Sequence, residues 1–331
     1  MMNLELSIAL DTNPRSRPIL DGTISPDAID LVPTPLHPSE MFWRQLKFGD
    51  FDVSEMSFSS LIKAIARGDD RWVGIPVFTA HHFFQNWILV RKAAGIDKPE
   101  DMRGKRVGVP EFQQTAAVWS RGVLKHEFGV DQTEMEYFME RLPATSHGGA
   151  TGFEAPPGTI VNQIPLEKNI GQMMLDGELD ATLLYLPDNN LIDRSVADLE
   201  NHPDFDPLFR DRPAEALRYY RKTNIYPINH CVVIRREIAE AHPWTVLNIL
   251  KAFNKANEIA NAQRMEHVEN HRSSGLISAE AYAALTEPLM QHGVVANRET
   301  LEAAAQYSVE QGLTPRLVAL EEVFAKSTLD Q

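Results

Sequence analysis

The sequence is poor in cysteine, in basic residues and in long apolar runs. Its 331 residues contain one cysteine, Cys231, which excludes an intramolecular disulfide and any metal site built on several cysteines. With 32 Lys and Arg against 46 Asp and Glu, the formal net charge is −14, so the chain repels phosphate backbones and we expect no nucleic-acid partner. No segment reaches the about 20 apolar residues that a membrane-spanning helix needs, so we expect no membrane partner either.

Several short motifs are absent as well. The sequence contains no HExxH, no GxSxG and no glycine-rich loop ending in Lys-Ser or Lys-Thr. The N-terminus, MMNLELSIALD, has no basic residues before its apolar stretch, which predicts a first strand, not a signal peptide, and a cytoplasmic protein. A metal held by His81 or His82 with Glu55, Glu111 or His230 is chemically possible, but no spacing requires it, and we predict no metal site.

Short apolar runs alternate with amphipathic stretches, which indicates an α/β fold. The predicted strands are Leu4–Leu10, Ile29–Val32, Val53–Met56, Val73–Phe78, Trp87–Val90, Arg106–Val109, Ala181–Tyr185 and Cys231–Ile234. The predicted helices begin near Ser39, Ser57, Thr115, Asn169, Pro243, Ser278 and Asn297. Asn297 suits an N-cap, and Gly312 suits the end of the same helix. From Ile238 onward the pattern is almost wholly helical.

The order of these segments suits two lobes between which the chain crosses twice, near Gln85–Val90 and Pro227–Val232. We predict one lobe from residues 1–85 and 231–331 and a second from residues 86–230. The segment 143–165 is rich in Gly and Pro, which disfavours regular structure, and it forms either a lid over a site or a plain surface loop.

Ligands of open α/β sheets bind beyond the carboxyl ends of the strands, and polar segments follow several predicted strands. Arg17 lies after the first predicted strand, and its guanidinium can bind a carboxylate through two hydrogen bonds. After the third come Glu55 and the serines Ser57, Ser59 and Ser60, whose hydroxyls and amides at a helix N-terminus can bind an anion. The alternatives are a solvated turn for the arginine and simple N-capping by one serine.

Three further segments complete the candidate site. His81 and His82 follow the apolar strand near Val73, and either can transfer a proton or be structural. The turn containing Glu111, Phe112, Gln114 and Thr115 joins a strand to a helix, which suits a carboxylate but lacks the glycines of a nucleotide-binding loop. Asn229 and His230 precede the last predicted strand at the second crossing.

Four of these stretches resemble the 4,5-dihydroxyphthalate decarboxylase family. They are EMSFSSLI, the strand GIPVF, GKRVGVPEFQQTAAVWSRGVL and IYPINHCVVIRREIAEAHPW, and the similarity spans about Leu4 to Phe253. The resemblance implies a type 2 periplasmic-binding-protein-like fold, with two α/β lobes, two interlobe crossings and a helical C-terminal region.

The chain also departs from that family. After the IPVF strand the decarboxylases have a pattern similar to Ser-Arg-x-Phe-Arg-His. In this chain the two arginines are replaced by His81 and Phe84, and the histidine is replaced by Gln85. Asn229 stands where an apolar residue is expected before the retained His230. The departure removes two cations that suit a dicarboxylate, so the substrate carries fewer carboxylates or is another hydroxylated aromatic acid.

The resemblance implies a carboxy-lyase that removes CO2 from a hydroxylated aromatic acid without a cofactor. His230 or His81 is then the proton donor, and Glu55 or Glu111 accepts the phenol proton. The substrate-binding candidates are Arg17, Trp43, Ser57, Ser59, Ser60, His82, Phe112, Gln114, Thr115 and Asn229. The competing function is a non-catalytic solute-binding protein for a small carboxylate. We expect a homo-oligomer in either case.

Overall fold

The computed structural model describes residues 3–187, 190–286 and 290–331, and in them two mixed sheets are covered by helices. The strands are β1 Leu4–Leu10, β2 Ile29–Pro35, β3 Val53–Ser57, β4 Trp72–Ile75, β5 Leu89–Arg91, β6 Arg106–Val109, β7 Glu136–Met139, β8 Ile160–Gln163, β9 Ala181–Thr182, β10 Phe205–Pro207 and β11 His230–Arg235. The helices are α1 Arg17–Leu20, α2 Pro38–Phe48, α3 Phe58–Ala66, α4 Thr115–Phe128, α5 His147–Thr151, α6 Ile170–Leu175, α7 Arg212–Thr223, α8 Arg236–Ala241, α9 Trp244–Ser273, α10 Ala279–Thr286, α11 Val294–Glu310 and α12 Leu320–Val323. No helix in these described ranges is long and apolar enough to cross a membrane.

Each sheet combines parallel strands with antiparallel ones. The first has the order β2-β1-β3-β11-β4, in which β1 runs parallel to β2 and β3, and β11 runs antiparallel to β3 and β4. The second has the order β10-β5-β9-β6-β7-β8, in which β6, β7, β8 and β9 are parallel. The predicted α/β class and the two-lobed architecture are therefore confirmed.

The two segments that connect the sheets lie side by side. His81 forms an antiparallel bridge with Ile228, the Asn229 amide donates to the Ala80 carbonyl at 2.9 Å, and the His82 amide donates to the Pro227 carbonyl at 3.1 Å. Both connections therefore pass through one place, next to the strand that begins at His230. The lobe boundaries at 85/86 and 230/231 stay a prediction.

The lobes share one hydrophobic core. Met56 and Cys231 of the first sheet and Val107 and Tyr137 of the second belong to the same buried cluster, which also includes Leu301 of α11. Cys231 is fully buried, as predicted, and burial raises the pKa of its thiol. One buried cluster therefore extends from the first sheet to the second.

Several element boundaries differ from the sequence prediction. β4 ends at Ile75, since Pro76 has no amide hydrogen for the next ladder position. Trp87 lies in a 3₁₀ helix, Phe84–Trp87, and not in a strand. β9 ends after two residues, at Thr182. Asn297 is not an N-cap, because α11 begins at Val294, and the Asn297 side chain instead donates to two carbonyls before that helix.

The prediction that segment 143–165 lacks regular structure is wrong. It contains the short helix α5 and the edge strand β8. The Glu111 carboxylate accepts from the His147 and Gly148 amides, and the Ser146 hydroxyl accepts from the Gly149 amide at 2.8 Å. Side chains that satisfy the first amides of α5 therefore hold a helix where the composition disfavours one. A Cβ at Gly149 would lie 1.6 Å from the Pro143 carbonyl oxygen, so this tight turn needs glycine.

Candidate functional site

A cavity of about 340 Å³ lies between the two sheets. Its walls come from residues just beyond the carboxyl ends of β1, β2, β3, β6, β7 and β9 and from both connecting segments. The polar residues that line it are Asp11, His37, Ser39, Ser57, His82, Gln114, Thr115, Arg141, His147, Asn229 and His230. This is the position at which open α/β sheets bind ligands.

His230 and Glu55 form a buried pair at one wall. His230 begins β11, next to β3, and its Nδ1 lies 2.9 Å from Glu55 Oε2. Glu55 Oε2 also accepts from the Thr79 hydroxyl at 2.6 Å, and Oε1 accepts from the Asp11 amide at 3.0 Å. Because a carboxylate accepts, His230 donates from Nδ1, and its Nε2 accepts from Asn229 Nδ2 at 2.8 Å. Both residues line the cavity.

Glu55 itself does not line the cavity. Its side chain is 0% exposed and lies behind His230. It therefore orients the imidazole and cannot accept a phenol proton directly, which is the role that the sequence suggested. The carboxylate that does line the cavity nearby is Asp11, and burial, with the charge of Glu55, raises the pKa of that group.

A cluster of neutral donors lies where α4 begins, and it includes Ser57, the cross-strand neighbour of His230. The Thr115 hydroxyl is 2.9 Å from the Ser57 hydroxyl and accepts from the Ser59 amide at 3.0 Å. Gln114 Oε1 accepts from the Glu111 amide at 3.0 Å, whereas Gln114 Nε2 has no partner among the described residues. Gln114 is 8% exposed and lines the cavity, so its free amide faces the cavity beside the unpaired first-turn amides of α4.

Arg141 is the only arginine or lysine among the described residues that line the cavity. Its Nε donates to Asp193 Oδ1 at 2.7 Å, its Nη2 donates to Asp193 Oδ2 at 3.1 Å and to the Ser39 hydroxyl at 2.5 Å, and its Nη1 lies 3.3 Å from Glu111 Oε2. Burial alone would raise the pKa of Asp193, but the charge and hydrogen bonds of Arg141 lower it to about 2. Arg141 and Asp193 therefore form a buried, ionised pair.

His147 lies beside this pair. Its Nε2 is 3.4 Å from Arg141 Nη1, so the imidazole is an acceptor there. Burial lowers the pKa of His147 to about 4. Glu111, whose carboxylate accepts from the His147 amide, is 1% exposed and lies behind the cavity wall. Like Glu55, it supports the residues that line the cavity and does not reach a ligand itself.

Aromatic rings form the remaining walls. The Phe42 ring meets His230 edge-on, with centroids 4.6 Å apart. His82 packs against Trp87 at 4.9 Å and against Phe84 at 5.6 Å, and all three line the cavity. These rings give the cavity apolar faces.

Eight of the predicted site residues line the cavity or lie directly behind it, Glu111 being the one behind the wall at His147. Ser57, His82, Gln114, Thr115, Asn229 and His230 line it, and Glu55 supports His230. The serines Ser59 and Ser60 instead bind the turn before α4, through the Gln113 carbonyl at 2.6 Å and the Gln113 Nε2 at 3.1 Å. They fasten α3 to the second lobe.

Four predicted residues lie elsewhere. Arg17 is exposed, in the short helix α1. Trp43 donates from Nε1 to the Ala144 carbonyl at 3.1 Å, outside the cavity, while its neighbour Phe42 faces inward. Phe112 is fully buried, and the Arg121 guanidinium covers its ring at 3.8 Å, so it cannot stack on a ligand. His81 is buried, with Nδ1 3.3 Å from the Tyr226 carbonyl oxygen, and does not line the cavity.

The sequence prediction missed Arg141 and His147, and it did not list Asp11, Ser39 or Phe42. Arg141 follows β7, a four-residue strand that the prediction omitted, so the rule about strand ends was not applied there. Ser39 and Phe42 are three residues apart at the start of α2, and this helical spacing was an available signal. The described residues contain no group of three or more His, Cys, Asp or Glu side chains arranged to hold a metal ion.

The buried histidines make the protein sensitive to acid. Burial lowers the pKa of His81 to about 3 and that of His147 to about 4. The unfolded chain binds protons below about pH 6.5 and the folded chain does not, so each of these residues lowers the free energy of unfolding by about 1.4 kcal/mol per pH unit below that value. Urea denaturation at pH 7 and pH 5 measures this loss.

His81→Gln is expected to make the free energy of unfolding less dependent on pH, and His267→Gln, at an exposed position, serves as the control that changes nothing. Equal free energies of unfolding at the two pH values for the unaltered protein would contradict the burial of neutral histidines.

Two known proteins resemble this chain over two thirds or more of its length. A 4,5-dihydroxyphthalate decarboxylase from Comamonas testosteroni is 28% identical over 333 aligned positions, covering 100% of this chain and 99% of the relative. A 4,5-dihydroxyphthalate decarboxylase from Pseudomonas putida is 31% identical over 221 positions, covering 67% of this chain and 83% of the relative. The chain belongs to the 4,5-dihydroxyphthalate decarboxylase family. As a member of this family it is a carbon–carbon lyase of the decarboxylase type. No family model matches the chain.

Solved structures show that this decarboxylase family member has the fold of periplasmic binding proteins. The aliphatic sulphonate binding protein SsuA of Escherichia coli is 15% identical with a TM-score of 0.54, covering 97% of this chain and 92% of that one. The alkanesulfonate-binding protein SsuA of Xanthomonas axonopodis pv. citri, bound to MOPS, is 14% identical with a TM-score of 0.54 and 98% coverage of both chains. At these identities the likeness establishes the fold alone. It confirms the predicted periplasmic-binding-protein-like fold.

Proposed function

We propose that this decarboxylase acts on a hydroxylated aromatic carboxylic acid similar to 4,5-dihydroxyphthalate, in the cavity between the lobes and without a cofactor. The observation that carries the proposal is the pair of His230 and Glu55, which holds an imidazole at a cavity that is also lined by Gln114, whose side-chain amide nitrogen has no partner among the described residues. The first is a proton-transfer group, and the second is a donor for a carboxylate.

The reaction needs a proton at the ring carbon that carries the carboxylate. A hydroxyl group in conjugation with that carbon loses its proton, and the resulting charge moves to the carbon. His230, in its protonated form, donates a proton there, the bond to the carboxylate breaks, and CO2 leaves with the restoration of aromaticity. The ring itself holds the electrons throughout, so this chemistry requires neither an organic cofactor nor a metal.

The geometry suggests a role for each wall. Gln114, Thr115 and Ser57 hold the carboxylate, and Phe42 flanks the ring beside His230. Asp11 lines the cavity, and its raised pKa makes it a better acceptor for the phenol proton than an exposed aspartate. Glu55 and Glu111 are positioning residues, since neither lines the cavity.

The experiment is incubation with a panel of hydroxylated benzoates and phthalates, with CO2 release and ring absorbance as readouts. We expect CO2 from acids that carry a hydroxyl para or ortho to the carboxylate, and none from the analogues without a hydroxyl. In D2O the product is expected to carry deuterium at the carbon that lost CO2. A chelator-treated sample is expected to turn over at the same rate.

Two outcomes would contradict the proposal. Tight binding of the panel acids with no release of CO2 would favour a non-catalytic solute-binding protein, the common role of this fold. Loss of turnover after chelation, with recovery on adding back one metal ion, would replace the cofactor-free reaction with a metal-assisted one.

A further inference from the structure

We propose that the ligand of this cavity is a hydroxylated aromatic acid with one carboxylate, and that a second carboxylate on the ring is selected against. The inference rests on the proposed function for the identity of the cavity as the substrate site. It is carried by the single fixed cation among the described residues that line the cavity, whose hydrogen bonds are already used, and by the apolar residues that line another part of it.

Among the described residues that line the cavity, the only fixed positive charge is already neutralised. The guanidinium of Arg141 holds Asp193 through two hydrogen bonds, of 2.7 and 3.1 Å, and its remaining nitrogen lies 3.3 Å from Glu111 and 3.4 Å from His147. Its Nη2 also donates to Ser39 at 2.5 Å. A carboxylate placed at Arg141 would have to displace these acceptors and would meet the charge of Asp193 at short range.

His82 and His147, two of the histidines that line the cavity, do not supply a second cation near neutral pH. Burial lowers the pKa of His82 and of His147 to about 4, and the proximity of His230 contributes at His82. Both rings are therefore uncharged at pH 7. Each can donate one hydrogen bond, which suits a hydroxyl group as well as a carboxylate.

The apolar wall is unsuited to a second carboxylate. It consists of Phe84, Trp87, Leu184 and Leu186, around the ring of His82. An ionised group against this wall would lose hydration without gaining a hydrogen bond, which disfavours its binding there. The neutral donors near Gln114 offer room for one carboxylate, and no described part of the cavity repeats that arrangement.

The test compares two ligands that differ by one carboxylate, 3,4-dihydroxybenzoate and 4,5-dihydroxyphthalate, by calorimetric titration and by CO2 release. We expect the monocarboxylate to bind the unaltered protein at least about tenfold more tightly. Leu186→Arg places a cation at the half-buried end of the apolar wall and is expected to shift the ratio of the two dissociation constants about tenfold toward the dicarboxylate. The matched control, Leu186→Gln, adds polarity without charge and is expected to leave the ratio unchanged.

The two readouts separate this inference from the proposed function. Equal or tighter binding of 4,5-dihydroxyphthalate by the unaltered protein would overturn the inference, and CO2 release from it would leave the proposed function intact. Preferential binding of the monocarboxylate without CO2 from either acid would support the ligand class and would overturn the catalytic proposal. The unaltered protein decides the question even if neither variant folds.

Discussion

Replacing His230 by glutamine is expected to lower kcat by about 10²- to 10⁴-fold, the usual contribution of a positioned proton donor. Glutamine can keep a hydrogen bond to Glu55, but its amide cannot deliver a proton to a ring carbon. KM is expected to change little, because in the proposed complex the carboxylate is held by other residues that line the cavity, Gln114 and Thr115. Initial rates of CO2 release, on an acid that the unaltered protein decarboxylates, give both constants.

The matched control is His81→Gln. His81 is as deeply buried as His230, at 1% and 5% exposure, but it does not line the cavity. We therefore expect the His81 variant to keep kcat, although its stability changes. Undiminished kcat in the His230 variant, with thermal melting to show that it is folded, would refute the assignment of the proton donor. A loss of kcat in the His81 variant alone would transfer that role to His81.

The bounds of a strand were predicted best where the apolar pattern that defines it lies within the strand itself. β1 and β6 begin and end at the predicted residues, because each is a short apolar run bounded by polar residues or by Pro110. The two crossings were also visible, since the second ends in the buried strand that starts at His230. Local pattern is enough for such elements, because their burial is decided by residues close in sequence.

The site was less predictable, because its geometry depends on contacts between distant segments. Arg141 matters through Asp193, 52 positions away, and Ser39, 102 positions away, and no local pattern indicates such partners. The side of α2 that faces the cavity was also undetermined, so Trp43 was chosen where Phe42 lies. Glu55 was predicted as a site residue, and its position behind His230 favours a positioning role over that of a base.

The structure also addresses how an acidic chain with a net charge of −14 can bind an anion. The cavity does not concentrate positive charge, because the charge of Arg141 is used internally by Asp193. The donors left for a ligand are neutral amides and hydroxyls, at Gln114, Ser57 and the start of α4. Such donors are already oriented by the fold, and they bind a single carboxylate without the desolvation cost of a second buried ion.

The pair of Arg141 and Asp193 leads to the largest expected effect on stability. Replacing Arg141 by methionine keeps most of the side-chain volume but leaves Asp193 without its counter-ion, beside Glu111. Both members of the pair are nearly inaccessible, with side chains 3% and 2% exposed, so solvent cannot compensate for the lost charge. We expect the free energy of unfolding to fall by about 3–5 kcal/mol, as for other buried pairs that lose one partner. Urea denaturation at pH 7 measures it.

Arg316→Met is the matched control, because Arg316 also forms two hydrogen bonds to one carboxylate, Glu322, at 2.8 and 2.7 Å, but it is exposed. That variant is expected to have nearly the stability of the unaltered protein. Arg141→Met combined with Asp193→Asn removes both charges and is expected to recover part of the loss, because the uncompensated carboxylate is gone. If the single variant were as stable as the Arg316 control, Arg141 would not be neutralised by Asp193. Its charge would then be available to a second carboxylate of the substrate.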